Sequence, residues 1–187
     1  MHMPVFLSGE KILLCPVDKN MDLSEYLSWI NNQETTLYMS SGDFPTCKEQ
    51  LQAYIARQYE NKNIFLGIFT KSNDKHIGNI CLYITDHQSH RGEVAIMIGD
   101  KKARGKGYGL EALKLIIRYG FMHLSLNKLC AAVAPDNFAS YKLFERAGFQ
   151  LEATLREQFY LNRSYRDDLR YGLLRREYLE MQKGNTR

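Results

Sequence analysis

The sequence predicts a mixed α/β fold, one domain spanning residues 1–187. Length and composition are the first ground. The chain has 187 residues, 44% hydrophobic and 25% charged, where a domain usually runs to roughly 100–200 residues and at this size buries about 70% of its unfolded surface. The second ground is periodicity: short alternating apolar runs are interleaved with apolar residues at helical spacing. The third is a stretch that reads strand, glycine-rich loop, helix, strand, which is a βαβ unit.

Each element has its own signal. EKILLCPV (10–17) is a first strand. MDLSEYLSWINNQETTLYM (21–39) is helical, with Leu23, Tyr26, Leu27 and Ile30 on one face. TCKEQLQAYIARQYEN (46–61) follows Pro45 as a second helix, capped by Thr46 with Glu49 at the capping-box position. NIFLGIFTK and HIGNICLYITD flank residues 72–75 as a hairpin. GEVAIMIGD alternates Val94, Ile96 and Ile98 as a strand. Leu110, Leu113, Ile117 and Phe121 then mark a helix. NKLCAAVAPDN is a strand stopped by Pro135, and NFASYKLFERAGF a helix with Gly148 at its C-terminal cap. REQFYLNRSYRDDLRYGLL is a closing hairpin and RREYLEMQ a short helix.

Several function classes fall away. A net charge of +4 is too mild to argue for nucleic acid. Cys15, Cys47, Cys81 and Cys130 lie far apart without a C-x-x-C pair, so inert thiols are expected rather than a metal or disulfide framework. His76, His87, His90 and His123 show no H-x-x-x-H pairing and read as surface or packing residues. No apolar run approaches the roughly 20 residues of a membrane span, and MHMPVFLSGEKILL lacks a signal-peptide core. A cytoplasmic protein is expected, with no metal, membrane or nucleic-acid partner.

The densest signal is DKKARGKGYGLEALKLIIRYGF (100–121). Gly105, Gly107 and Gly109 alternate among Lys101, Lys102, Arg104 and Lys106 just where a helix begins. A helix N-terminus presents unpaired N–H groups and a partial positive charge. Glycines let backbone approach a ligand closely, and the cations add charge. Together these make a cradle for a pyrophosphate. The loop is neither a Walker A nor G-x-G-x-x-G. A glycine-rich connection with solvated charges is the plain alternative.

RGKGYG fits R/Q-x-x-G-x-G/A at Arg104, Gly107 and Gly109, and APDNFASYKLFERAGF follows one helix and one strand later. This pairing resembles the GNAT superfamily of acyl-CoA-dependent N-acyltransferases, over a core of about 11–178. WINNQE, HIGNICL, GEVAIMIGD and LREQFYLNRSYRDD suggest the branch of ribosomal-protein N-terminal, polyamine and nucleotide-sugar N-acetyltransferases. The resemblance implies a splayed mixed sheet flanked by helices, with acetyl-CoA as cosubstrate in a wedge between the strand ending at Ile98 and the strand ending at Ala134. The pyrophosphate would sit on amides of Arg104, Gly105, Lys106, Gly107, Tyr108 and Gly109. The pantetheine arm would pair with Ile96, Met97 and Ile98 like an added strand. Asn137 would bond the pantetheine region, and Lys142 would reach the adenosine phosphates. The family generally needs no metal.

Acetyl transfer to an amine poses three chemical problems. An amine of pKa about 10.4 must lose a proton, the carbonyl oxygen needs a fixed donor, and the leaving thiolate needs a proton or another stabiliser. Glu93 is the candidate base; a solvated strand-end charge beside Arg91 is its plain alternative. By resemblance, a backbone N–H near Met97 or Ile98 is the oxyanion donor. Many relatives carry a proton-donating Tyr where this chain has Phe144. Ser140 and Tyr141 are the substitutes on the same helix, about 100° apart, with an N-terminal helix hydroxyl and a packing aromatic as plain alternatives. Trp29 reads as core. Asp167 and Asp168 read as a solvated turn or as recognition of a cationic amine.

The resulting expectation is an acetyl-CoA-dependent N-acetyltransferase acting on a primary amine by direct attack in a ternary complex. Protein N-terminus, amino-sugar nucleotide and small amine are all left open as acceptors, as is a homodimer. The alternative is a catalytically impaired CoA-binding sensor or scaffold, motivated by Phe144.

Overall fold

The computed structural model of the chain describes residues 4–39, 44–161 and 163–184. Eight strands form a mixed sheet: β1 Leu7–Ser8, β2 Ile12–Pro16, β3 Ile64–Thr70, β4 His76–Asp86, β5 Arg91–Ile98, β6 Lys128–Val133, β7 Gln150–Leu161 and β8 Ser164–Leu174, in the order β1-β2-β3-β4-β5-β6-β8-β7. The helices are α1 Ser24–Ile30, α2 Gln33–Thr36, α3 Lys48–Glu60, α4 Tyr108–Met122, α5 Phe138–Arg146 and α6 Arg175–Gly184. The chain divides into two compact units, Met1–Cys81 with Ile96–Leu115, and Leu82–Ala95 with Ile116–Arg187. Strands β4 and β5 and helix α4 each contribute to both.

In the first unit β2 pairs antiparallel with β1 and β3. Ile12, Leu14, Val17, Leu51, Ile55, Ile68, Ile77 and Leu113 are buried there. Trp29, 5% exposed, packs on His76 at 5.0 Å between ring centroids, so it is core as its sequence context suggests. Gly99 is required at this point, because a Cβ would lie 2.0 Å from the indole. Two local expectations need correction. The helical pattern at 21–39 is two helices: the Asn31 amide bonds Leu27 O and both backbone groups of Thr46, while Asn32 caps α2 through Thr35 N. With Thr46 engaged by Asn31, α3 starts one residue later. Cys47 is its N-cap residue, and Gln50 rather than Glu49 takes the capping-box role, accepting from Cys47 N at 2.8 Å.

The two strands of the expected βαβ unit, β5 and β6, pair in the second unit. β5 and β6 pair in parallel at Arg91↔Lys128, Gly92↔Leu129 and Glu93↔Cys130. β6 then pairs antiparallel with β8, and β8 with β7. One face of this sheet is apolar, with Leu129, Ala131, Val133, Tyr171 and Leu173 buried. β7 ends the strand order and is exposed along its first eleven residues. Gly148 has φ +97° directly after α5, the left-handed cap the sequence predicts.

Candidate active site

In the first unit the glycine loop is built from its ends inward. Asp100 accepts from Lys102 N and pairs with Lys75 Nζ at 2.7 Å; that hydrogen bond and charge hold its carboxyl below the usual range. A 3-10 turn at Lys101–Ala103 follows, anchored by buried Ala103. Gly105 and Gly107 adopt φ +75° and +85°, conformations that L side chains rarely take, and nothing lies within 4 Å of where their Cβ atoms would be. Glu111 N donates to Gly107 O, closing the first turn of α4. The loop is therefore a bare backbone arc leading into a helix N-terminus, whose first N–H groups have no intrahelical acceptor.

The loop cations divide into two kinds. Lys101 Nζ meets Glu34 at 2.5 Å, and the Arg104 guanidinium lies 3.9 Å from the same carboxylate. Arg104 also donates from Nε to Ile98 O at 3.1 Å and from Nη2 to Thr35 at 3.4 Å. Its side chain thus braces the end of β5 and α2. Lys102 and Lys106 are exposed and form no ion pair among the described residues. Ile96, Met97 and Ile98 are half-buried; the Ile98 carbonyl is held by Arg104, and the Met97 carbonyl lies 2.1 Å from where a Gly78 Cβ would stand.

In the second unit the polar face of the sheet carries a cavity of about 250 Å³ lined by Thr85, Arg91, Glu93, Cys130, Glu152, Arg170 and Tyr171. Glu93 is half-buried. Its cationic neighbour is Arg170 at 3.8 Å rather than Arg91, which pairs with Asp86 at 3.4 Å. Glu152 pairs with Lys128 at 2.6 Å and lies over Gly172, where a Cβ would meet its carboxylate. Burial pushes the Cys130 thiol up, which keeps it a poor nucleophile. Asp168 is not part of a solvated turn: it is 0% exposed, with Oδ2 2.6 Å from Arg170 Nε. Burial raises its carboxyl against the pull of that guanidinium. Asp167 instead accepts from Glu157 N, at an irregularity between Leu155 and Phe159 in the β7–β8 pairing.

Asn137 opens α5 by accepting from Ser140 N at 3.2 Å, so its side-chain oxygen serves the helix N-terminus. Ser140 and Tyr141 are half-buried in the first turn, Tyr141 packing on Phe138 at 5.7 Å, and Lys142 is exposed. Phe144 is 2% exposed and meets Phe149 edge-on at 5.1 Å, a core position. Tyr171 donates to Glu145 at 3.2 Å. Arg170 and Glu152 escape the sequence reading. The signal for Arg170 was available: Arg166, Asp168 and Arg170 alternate with Leu169, Tyr171 and Leu173, a strand with one charged face.

A mixed sheet carrying an open glycine arc at a helix N-terminus defines a class, α/β proteins whose backbone amides can take an anionic group. The comparisons sharpen this. Residues 11–150 match the family model of the acetyltransferase (GNAT) domain. The chain is 31% identical over 153 residues, 80% of it and 79% of the relative, to the probable N-acetyltransferase YjcK of Bacillus subtilis. It is 32% identical over 102 residues, 54% of each protein, to the spermidine N(1)-acetyltransferase of Escherichia coli. Among solved structures, the spermidine N-acetyltransferase from Vibrio cholerae in complex with CoA and spermine superposes with TM-score 0.81 at 24% identity, covering 91% of this chain and 99% of that one. The chain belongs to the GNAT acetyltransferase family and is an acetyltransferase. Among the described residues, no helix is long and apolar enough to cross a membrane, and no group of three His, Cys, Asp or Glu side chains is placed to hold a metal ion.

Proposed function

We propose that the protein transfers the acetyl group of acetyl-CoA to a primary amine by direct attack in a ternary complex. The carrying observation is the open arc at Gly105 and Gly107 leading into α4. Amides of 104–109 would receive the pyrophosphate, with Lys102 and Lys106 supplying unpaired positive charge. Ile96, Met97 and Ile98 would align the pantetheine, and Asn137 and Lys142 would bind further along the cosubstrate. Glu93 would accept the ammonium proton, and a backbone N–H at Met97 or Ile98 would stabilise the oxyanion. Ser140 would return a proton to the thiolate, with Tyr141 the neighbouring candidate. A CoA-bound relative supports the cosubstrate.

The cavity around Glu93 favours a single amine over a polycation. Glu93 and Glu152 each already have a cationic side chain within 4 Å, so a polyamine finds no uncompensated carboxylate. A protein N-terminus, an amino-sugar nucleotide or a small monoamine matches better, whereas the relatives in Escherichia coli and Vibrio cholerae are named for spermidine.

Two measurements test the reading. Acetyl-CoA at 100 times its Kd stabilises a protein that binds only when folded by about 2.7 kcal/mol, so a clear rise in Tm is expected; no rise at millimolar acetyl-CoA overturns the assignment. CoA-thiol release is then followed with monoamines, N-terminal peptides, amino-sugar nucleotides and spermidine. Binding without turnover on any of them identifies a CoA-binding protein rather than an enzyme of this kind.

A further inference from the structure

We propose that Asp168 and Arg170 are positioning residues for Glu93: the buried Asp168 carboxylate aims the Arg170 guanidinium, and Arg170 holds Glu93 in place in the cavity. This rests on the reading of Glu93 as the proton acceptor.

The geometry is a chain of three charges across three strands. Asp168 and Arg170 stand two apart on β8 and so share a face. In register, Arg170 opposes Ala132 on β6, and Cys130, two residues back, opposes Glu93 on β5. The small Ala132 leaves Arg170 room to extend across β6. Its Nε meets Asp168 at 2.6 Å and its Nη1 lies 3.8 Å from Glu93.

Asp168 is fully buried, and a carboxylate persists there only because a cation is fixed beside it. The pairing works in both directions. An arginine has many rotamers, and a rigid buried partner selects one of them.

Other charges face Glu93 as well. On its own strand is Arg91, tied to Asp86. On β6 stand the Cys130 thiol and Lys128, and on β7 Glu152, tied to Lys128. Tyr171 on β8 donates to Glu145 of α5. Arg91 and Lys128 therefore each have another acidic partner, and only Arg170 forms an ion pair with Glu93 among the described residues.

The test is the acid limb of kcat/KM, which reports protonation of the base in the free enzyme. Arg170→Gln removes the cation beside Glu93, protonation becomes easier, and the limb moves to higher pH. Asp168→Asn leaves Arg170 charged but no longer aimed at Glu93, so the limb moves up by less than in Arg170→Gln and kcat falls by roughly tenfold. Displacements in the same direction, the smaller one in Asp168→Asn, are the expected result. A merely structural Asp168 lowers Tm and leaves the limb where it was, and that outcome overturns the proposal. If Asp168→Asn does not fold, the decision falls to Arg170→Gln and to Arg170→Lys, which keeps the charge and so keeps the limb near its original place while lowering kcat. A limb unmoved in Arg170→Gln overturns the proposal.

Failure of the underlying reading looks different. If Glu93→Gln retains full turnover, or if the unaltered protein binds acetyl-CoA and acetylates nothing, Glu93 is not the base. Carboxyl NMR titration of Glu93 in the unaltered and Arg170→Gln proteins then decides the charge coupling directly, an unmoved titration overturning it.

Discussion

The glycine loop and the charged face around Glu93 are built from two different materials. The loop presents backbone: Gly105 and Gly107 carry no side chain, their φ angles are positive, and the space above them is open. The charged face presents side chains from four strands: Glu93 on β5, Lys128 on β6, Glu152 on β7, and Asp168 and Arg170 on β8. A backbone site is encoded within six consecutive residues. A side-chain site is encoded only once the sheet has set its register.

The contrast predicts that the two regions fail differently when altered. Ser140→Ala is expected to have the largest effect on turnover, because general acid catalysis is typically worth about 10²–10⁴-fold, while acetyl-CoA affinity stays nearly unchanged. Single-turnover kinetics and calorimetric Kd values check this. An unchanged rate, with Tyr141→Phe abolishing turnover instead, moves the acid one residue along α5.

Gly107→Asp should do the reverse, weakening acetyl-CoA binding by about 10–100-fold. A Cβ at φ +85° is strained, and a carboxylate would repel the pyrophosphate at the helix N-terminus. Unchanged affinity in a folded variant removes the loop from the site.

Phe144→Tyr is expected to destabilise by about 1–3 kcal/mol, since the added hydroxyl enters a buried setting against Phe149. It should not rescue Ser140→Ala. Recovery of the rate in the double variant would show that α5 presents this ring to the leaving sulfur.

The smallest effect concerns His76, buried among Tyr26, Trp29 and Phe69 with Nε2 3.0 Å from both Gly78 O and Asn79 Oδ1. Burial lowers its affinity for a proton from the ordinary 6.5. The unfolded chain then binds the proton more readily, so stability is full above about pH 6.5 and falls as pH drops below it. A loss of stability between pH 7.5 and 5.5 is expected from denaturant titrations. The loss should be smaller in His76→Gln, and an equal loss there assigns the dependence to another group.

Local signals make much of this molecule legible in its sequence. Apolar runs and turn signals located β2 to β6 and the β7–β8 hairpin, although β7 starts at Gln150, ahead of the Arg156 start expected; helical spacing located α3, α4 and α5, and Gly148 marked a C-terminal cap, because these depend on neighbours in sequence. The glycine arc was legible for the same reason. The break at Asn31 and Asn32 was not. The Asn31 side chain reaches Thr46 fifteen residues away, and that contact also displaced the α3 cap from Thr46 to Cys47.

What the sequence by itself determined is the family fold and the glycine-rich loop at the head of α4, both carried by spacing along the chain. What only the tertiary structure decided is partnership. Arg104 turned to Ile98 O and α2, Glu93 met Arg170 instead of Arg91, and Asp168 left the expected turn for a buried ion pair. Charge acts over a few ångströms in whatever direction the fold supplies, and no spacing rule along one chain can name the strand that will lie beside it.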